Sequence, residues 1–269
     1  MSQWRDAFAA TVRGDRVGLG DACALLAAEL GRVHGLVVPD DPVASGRQAL
    51  DALATGVPAG GPAHERLRVA LGGFGGDADD YDDLRASLIH EVVRRRRGLP
   101  ILLSAVWLEV AARAGVPAYG LGLPGHFVVG LGDPDGYHVV VDPFAGGLTM
   151  RPAEVTSLVA RASGAAPGPS ALRPWEPVEI LQRVLLNVSA WAATPARWQV
   201  QRAALELALL LPRHSLDLRR RHGELMITMG GYLEGAVQLE AYADAVEPVD
   251  PAGAQRARRS ARRARSRLN

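Results

Sequence analysis

The sequence contains a single cysteine and no lysine. One cysteine excludes an internal disulfide and a cysteine-rich zinc site. All 30 basic residues are arginine and face 29 acidic residues, which leaves a formal net charge of +1. With charges so balanced, no overall field favours nucleic acid or a membrane surface. The absence of lysine, together with frequent alanine, glycine and valine, is typical of a high-GC bacterial coding sequence and indicates no function.

Long apolar runs are also missing. No run approaches the roughly 18 apolar residues that span a bilayer, and residues 1–6 lack the apolar core of a signal peptide. We therefore expect a cytoplasmic protein that does not contact membranes. Hydrophobic residues make up 48% of the 269 positions, enough for one large domain or two small ones.

Two β-rich runs joined by a turn signal form the most informative stretch. Residues 123–129 and 137–144 flank the turn sequence at 132–136, which predicts a hairpin. If the strands pair antiparallel, Asp142 returns beside His126. A carboxylate in that position orients an imidazole and stabilises its protonated form. The hairpin thus predicts two members of a nucleophile, base and orienter triad.

The segment before the hairpin predicts a buried helix. Residues 101–114 are almost wholly apolar, and Gly115 and Pro117 stop the helix at its end. Pro100 stands at its start. Proline suits the first turn of a helix because it has no N–H to leave unpaired, but it cannot act as a nucleophile.

These motifs together resemble a transglutaminase-like core of the SirB type. The segments at 98–100, 115–117, 124–127 and 142–144 fall in the family order, and weaker similarity extends over about residues 15–248. Active members carry the catalytic cysteine at the N-terminus of the buried helix, where the helix dipole supports a thiolate. The resemblance places Pro100 at that position.

The resemblance implies an α+β fold with a transglutaminase-like, papain-like core. We predict a helical N-terminal segment over 1–73, the core over 74–161, a tetratricopeptide-like helical region over 175–248 and an arginine-rich tail over 249–269. A connector rich in small residues and proline covers 162–174. Residues 231–236, Ala243 and Pro248 match the second half of a tetratricopeptide unit, whereas Glu224 stands where a small residue is expected.

Three functions remain open. The first is a non-catalytic binding or regulatory module, lacking the thiol, with a protein partner. The second is a hydrolase or acyltransferase in which His126, oriented by Asp142, acts as general base on water, on an amine of a small-molecule substrate, or on Ser104, one helical turn beyond Pro100. The third is a nucleic-acid-associated regulator acting through seven tail arginines, which the lack of interleaved aromatic residues disfavours.

Other chemistry-bearing residues have plainer interpretations. Cys23 falls in a predicted amphipathic helix opened by Asp21 and is expected to be buried. A metal site of His126, His138 and Asp142 is disfavoured because it competes with the His–Asp pair, and no cofactor is indicated. The aspartates over 77–83 lack the spacing of a calcium loop and predict a helix cap facing the arginines at 94–97.

Overall fold

A computed structural model of the protein describes residues 2–163 and 172–268. The chain divides into two compact units, Met1–Val184 (unit 1) and Leu185–Asn269 (unit 2). The predicted N-terminal segment and core both belong to unit 1. Of the predicted connector over 162–174, residues 164–171 lie outside the described residues.

Unit 1 begins with helices and continues into a small sheet. The helices before the sheet are α1 (Gln3–Arg13), α2 (Leu19–His34), α3 (Pro42–Thr55), α4 (Ala63–Ala70), α5 (Ile89–Arg95) and α6 (Pro100–Arg113). The sheet is followed by α7 (Pro152–Ser163) and by α8 (Pro177–Trp191), which continues into unit 2. The mixed α+β class expected from the sequence is therefore confirmed.

Helix α2 begins differently from the sequence prediction. It starts at Leu19, so that Asp21 lies in the first turn and does not cap the helix. The N–H of Gly20 instead donates to Oε1 of Glu109 on α6, at 2.8 Å. A long-range carboxylate thus satisfies a backbone donor at this helix end, a contact that local sequence does not encode.

Four antiparallel strands in the order β1-β2-β3-β4 form the sheet. Their bounds are β1 (Ala118–Leu123), β2 (His126–Gly132), β3 (His138–Asp142) and β4 (Leu148–Met150). Strands β2 and β3 form the predicted hairpin, with Val129 opposite Val141. On one face of the sheet, Leu121, Leu123 and Val128 pack against Val155 and Val159 of α7.

Unit 2 is helical. After the end of α8 it contains α9 (Trp198–Ala208), α10 (Asp217–Thr228), α11 (Tyr232–Val246) and α12 (Pro251–Arg265). A β-carbon on Gly235 would lie 2.7 Å from the carbonyl oxygen of Gly223. Helices α10 and α11 therefore cross with their backbones close together. Gly223 supplies the small residue one position before Glu224, and the tetratricopeptide-like assignment stays a prediction.

The predicted arginine-rich tail is largely helical. Helix α12 buries Ala254, Ala257, Ala261 and Ala264 in a cluster with side chains of α11 such as Leu239. No helix among residues 2–163 and 172–268 is both long enough and apolar enough to cross a membrane.

Candidate functional site

The hairpin brings His126 and Asp142 into contact. Nε2 of His126 lies 2.8 Å from Oδ2 of Asp142, and each side chain is 15% exposed. Val129 pairs with Val141, and continuing that register by one residue puts Asp142 opposite Val128. Side chains of a strand alternate between its two faces, so Val128 shares a face with His126. The contact therefore follows from the antiparallel pairing.

Asp142 is held by the backbone that follows it. Its Oδ1 accepts hydrogen bonds from the N–H of Phe144 at 3.0 Å and of Ala145 at 3.4 Å. One carboxylate oxygen thus fixes the turn after β3 while the other faces the imidazole. This division keeps the carboxylate orientation independent of His126.

Two aromatic rings border the pair. The ring of Phe144 meets the His126 ring edge-on with centroids 6.1 Å apart, and it meets Tyr81 in the same manner at 6.2 Å. Burial, together with the charge of Asp142, raises the pKa of Tyr81. No chemical role for Tyr81 follows from the sequence, because a lone tyrosine in the aspartate-rich segment matches no functional motif.

An open cavity of about 410 Å³ adjoins Phe144. Its walls include the glycine loop over 73–76, Asp77, Arg97 and Gly146. Arg97 is paired with Asp77 and lies 3.2 Å from the buried carboxylate of Asp80. The aspartates cap a short helical turn, as the sequence predicted, and neutralise an arginine at the rim of the cavity.

Helix α6 begins at Pro100, which is buried, and Leu99 occupies its N-cap. Ser104, one turn later, is 0% exposed, and its Oγ donates to the carbonyl oxygen of Phe127 at 3.3 Å. The structure therefore places the Ser104 hydroxyl inside the core, where it joins α6 to β2.

Two large aromatic side chains, Trp107 and Phe127, pack away from His126. Trp107 is 1% exposed and lies where a β-carbon on Gly147 would be. Phe127 packs edge-on against Trp175, with ring centroids 5.5 Å apart. His126 therefore remains partly exposed to solvent, and the ring of Phe144 lies beside it.

The other candidates lie apart from the His–Asp pair. Cys23 is fully buried in α2, and burial raises the pKa of its thiol, with a smaller contribution from Glu109. His138 is exposed, and its Nδ1 lies 3.2 Å from the carbonyl oxygen of Gly136. In the part of unit 1 that the structure describes, no three potential metal ligands converge.

Several of the seven tail arginines pair with carboxylates. Arg258 contacts Asp244 and Glu247, and Arg265 contacts Glu240 at 2.6 Å. Arg256 lies 3.5 Å from Asp250. Three of the seven tail arginines are therefore paired with carboxylates of α11 or of the turn that joins it to α12.

Two curated relatives each match about half of this chain. The chain is 39% identical over 158 residues to a UPF0162 protein of Xylella fastidiosa, covering 55% of each. It is 32% identical over 123 residues to a UPF0162 protein of Pseudomonas aeruginosa, covering 45% of this chain and 44% of the relative. The chain thus matches about half the length of these curated relatives.

Among solved structures, the chain aligns with a crystal structure of menin at 12% identity and a TM-score of 0.39, covering 89% of this chain and 68% of that one. A family model for the transglutaminase-like superfamily matches residues 48–186, which is half of the chain and includes α6, the whole sheet and the His126–Asp142 pair. The chain therefore belongs to the transglutaminase-like superfamily.

Proposed function

We propose that this chain is a SirB-type transglutaminase-like protein without the nucleophilic thiol, which acts as a non-catalytic binding or regulatory module. It uses the cleft around His126 and Asp142, together with its helical C-terminal region, to hold a protein partner. The observation that carries this proposal is the start of α6: Pro100 occupies the helix N-terminus while the accessible His–Asp pair is retained.

The alternative nucleophiles of the chain support the same conclusion. A nucleophilic cysteine needs a lowered thiol pKa and access to solvent. Burial does the opposite at Cys23, whose thiol pKa is raised. The Ser104 hydroxyl is buried and bonded to a carbonyl oxygen, so its proton is not directed at His126.

A second candidate function is an enzyme of amide or acyl chemistry, either a hydrolase or an acyltransferase. The observation that favours it is the partial exposure of His126 with a carboxylate at Nε2. In this arrangement Nδ1 accepts a proton from water or an amine as that group attacks a carbonyl, and Asp142 stabilises the resulting imidazolium. The nucleic-acid alternative receives less support, because Arg258 and Arg265 are paired with carboxylates.

Partner binding is tested by changing the border of the cleft. Wild type, Tyr81→Ala and Phe144→Ala are used to capture proteins from a bacterial lysate, which are then quantified by mass spectrometry. Tyr137→Ala is the matched control, since Tyr137 is 86% exposed and is also in unit 1. We expect the two cleft variants to lose the same partner by about tenfold while the control retains it. A set of captured proteins that no cleft variant alters contradicts the proposal.

Catalysis is tested separately by amine incorporation into a protein substrate and by hydrolysis of an activated ester. We expect wild type and His126→Ala to give equal background rates in both assays. Turnover by wild type that His126→Ala lowers by 100-fold or more, in the usual range for loss of a general base, favours the enzyme.

A further inference from the structure

Three helices of unit 2 each bring one potential metal ligand to the same place. Glu206 comes from α9, His222 from α10 and Glu234 from α11. One ligand atom of each residue lies within 4.8 Å of the other two. The residues are far apart in sequence, so only the packing of consecutive helices brings them together.

His222 is the unusual member of this cluster. It is 3% exposed, and neither ring nitrogen has a hydrogen-bond partner. Burying a polar group without a partner is costly, and native proteins seldom leave this cost uncompensated. A buried imidazole in this state calls for a ligand that accepts its lone pair or its proton.

The nearest carboxylate lies at a distance that suits a shared metal ion. Nε2 of His222 is 3.6 Å from Oε1 of Glu206, which is too far for a good hydrogen bond. Two ligand atoms bound to one Zn²⁺ at about 2.0–2.1 Å with tetrahedral geometry lie about 3.3 Å apart. A small inward movement of the two side chains therefore completes the first two bonds. Glu234 is 46% exposed, so it would bind the ion from the solvent side.

Arg202 accompanies the cluster. Nε of Arg202 donates to Oε1 of Glu206 at 2.7 Å, and its Nη2 lies 3.9 Å from Oε1 of Glu234. Donors of this kind commonly hold metal-ligating carboxylates in place. The two carboxylates carry more negative charge than the guanidinium of Arg202 offsets, which favours a cation beside the imidazole.

We propose that Glu206, His222 and Glu234 form a mononuclear site for a first-row divalent transition metal, with Zn²⁺ as the best match. An imidazole nitrogen selects against Mg²⁺ and Ca²⁺, which prefer oxygen ligands throughout. Three protein ligands leave a fourth position for water, an arrangement typical of open zinc sites. The site lies within unit 2 and uses none of the residues around His126.

The test uses the full-length protein after treatment with a chelator. Zn²⁺ binding is measured by calorimetry, and Co²⁺ is added in place of Zn²⁺ to observe its visible absorption. We expect one ion per chain and affinity losses of at least tenfold in both His222→Gln and Glu234→Gln. His214→Gln is the matched control, because His214 is also in unit 2 and its Nδ1 bonds to the carbonyl oxygen of Leu211 at 2.9 Å.

Glu234→Gln keeps the test decisive if His222→Gln does not fold, since Glu234 is 46% exposed. Absence of saturable binding up to about 100 μM Zn²⁺ overturns the proposal, because such weak affinity does not define a built site. Equal affinity of wild type and Glu234→Gln overturns it as well. A loss of Zn²⁺ affinity in His214→Gln as large as in the cluster variants also overturns the proposal, because it places the ion elsewhere.

Discussion

The Ser104 hydroxyl donates a hydrogen bond to the carbonyl oxygen of Phe127 at 3.3 Å. This bond fixes the second turn of α6 beside the residue that directly follows His126. The N-terminus of the helix, where Pro100 lies, is thereby held in a set register with the start of β2.

Pro100→Cys restores a thiol at the first turn of α6. We expect alkylation by iodoacetamide at neutral pH to be at least about tenfold faster at Pro100→Cys than at the buried Cys23, because the helix N-terminus favours the thiolate at position 100 whereas burial raises the thiol pKa of Cys23. Mass spectrometry of the modified peptide gives the rate. Wild type is the control, since its Cys23 is fully buried. A rate that His126→Ala leaves unchanged in the Pro100→Cys background contradicts a thiol paired with His126.

Asp142→Ala should destabilise the fold more than His126→Ala. Asp142 accepts two backbone N–H groups as well as facing His126, so its loss leaves those donors without their acceptor. We expect an excess loss of about 1–3 kcal/mol in the free energy of unfolding, measured with urea. Equal losses in the two variants argue that solvent replaces the carboxylate at the turn.

His90 should make stability depend on pH. Burial lowers its pKa below the ordinary value of 6.5, and neither ring nitrogen has a hydrogen-bond partner. The unfolded chain therefore binds a proton at His90 more readily than the folded chain does. The stability that neutral His90 contributes is lost as the pH falls from the unfolded pKa toward the folded pKa.

Urea unfolding at about pH 7.5 and about pH 5.5, on either side of the ordinary histidine pKa, measures this effect. We expect His90→Leu to lose less stability than wild type between the two values. His138→Leu, at an exposed histidine, should behave as wild type does. An unchanged pH dependence in His90→Leu assigns the effect to other groups.

Gly235→Ala should destabilise unit 2. The added β-carbon would lie 2.6 Å from Cγ1 of Ile227 and 2.7 Å from the carbonyl oxygen of Gly223, so α10 and α11 must separate. We expect a loss of about 1–3 kcal/mol, measured by thermal or urea unfolding.

Gly46→Ala in α3 is the matched control. Its β-carbon would make only an ordinary contact of 3.4 Å with Ala24, so the gain in helix propensity should stabilise by about 0.5–1 kcal/mol. A Gly235→Ala protein as stable as wild type contradicts the close crossing.

Local sequence signals predicted the elements of unit 1 that build the site. The apolar run after Pro100 and the stop at Gly115 predicted α6, and the turn at 132–136 predicted the β2–β3 hairpin, because each signal is contained within a few residues. The predicted start of α2 was wrong, because the backbone N–H of Gly20 is satisfied by Glu109, 89 positions away in the sequence.

The residues that the sequence missed have no local signal. Tyr81 reaches the site through the ring of Phe144, a contact between distant parts of the sequence. Glu206, His222 and Glu234 meet because three helices pack together, and their spacing in the sequence matches no ligand motif. Patterns with a period of two or 3.6 residues predict which face of one element is buried, but not which side chains of three elements converge.

The alanine face of α12 has a consequence for how its packing is studied. Alanine scanning cannot probe the α12 side of its packing against α11, because the buried positions there are already alanine: Ala254, Ala257, Ala261 and Ala264. Enlargement is the informative change: valine and then leucine at these four positions would probe the space between the helices with side chains of increasing size.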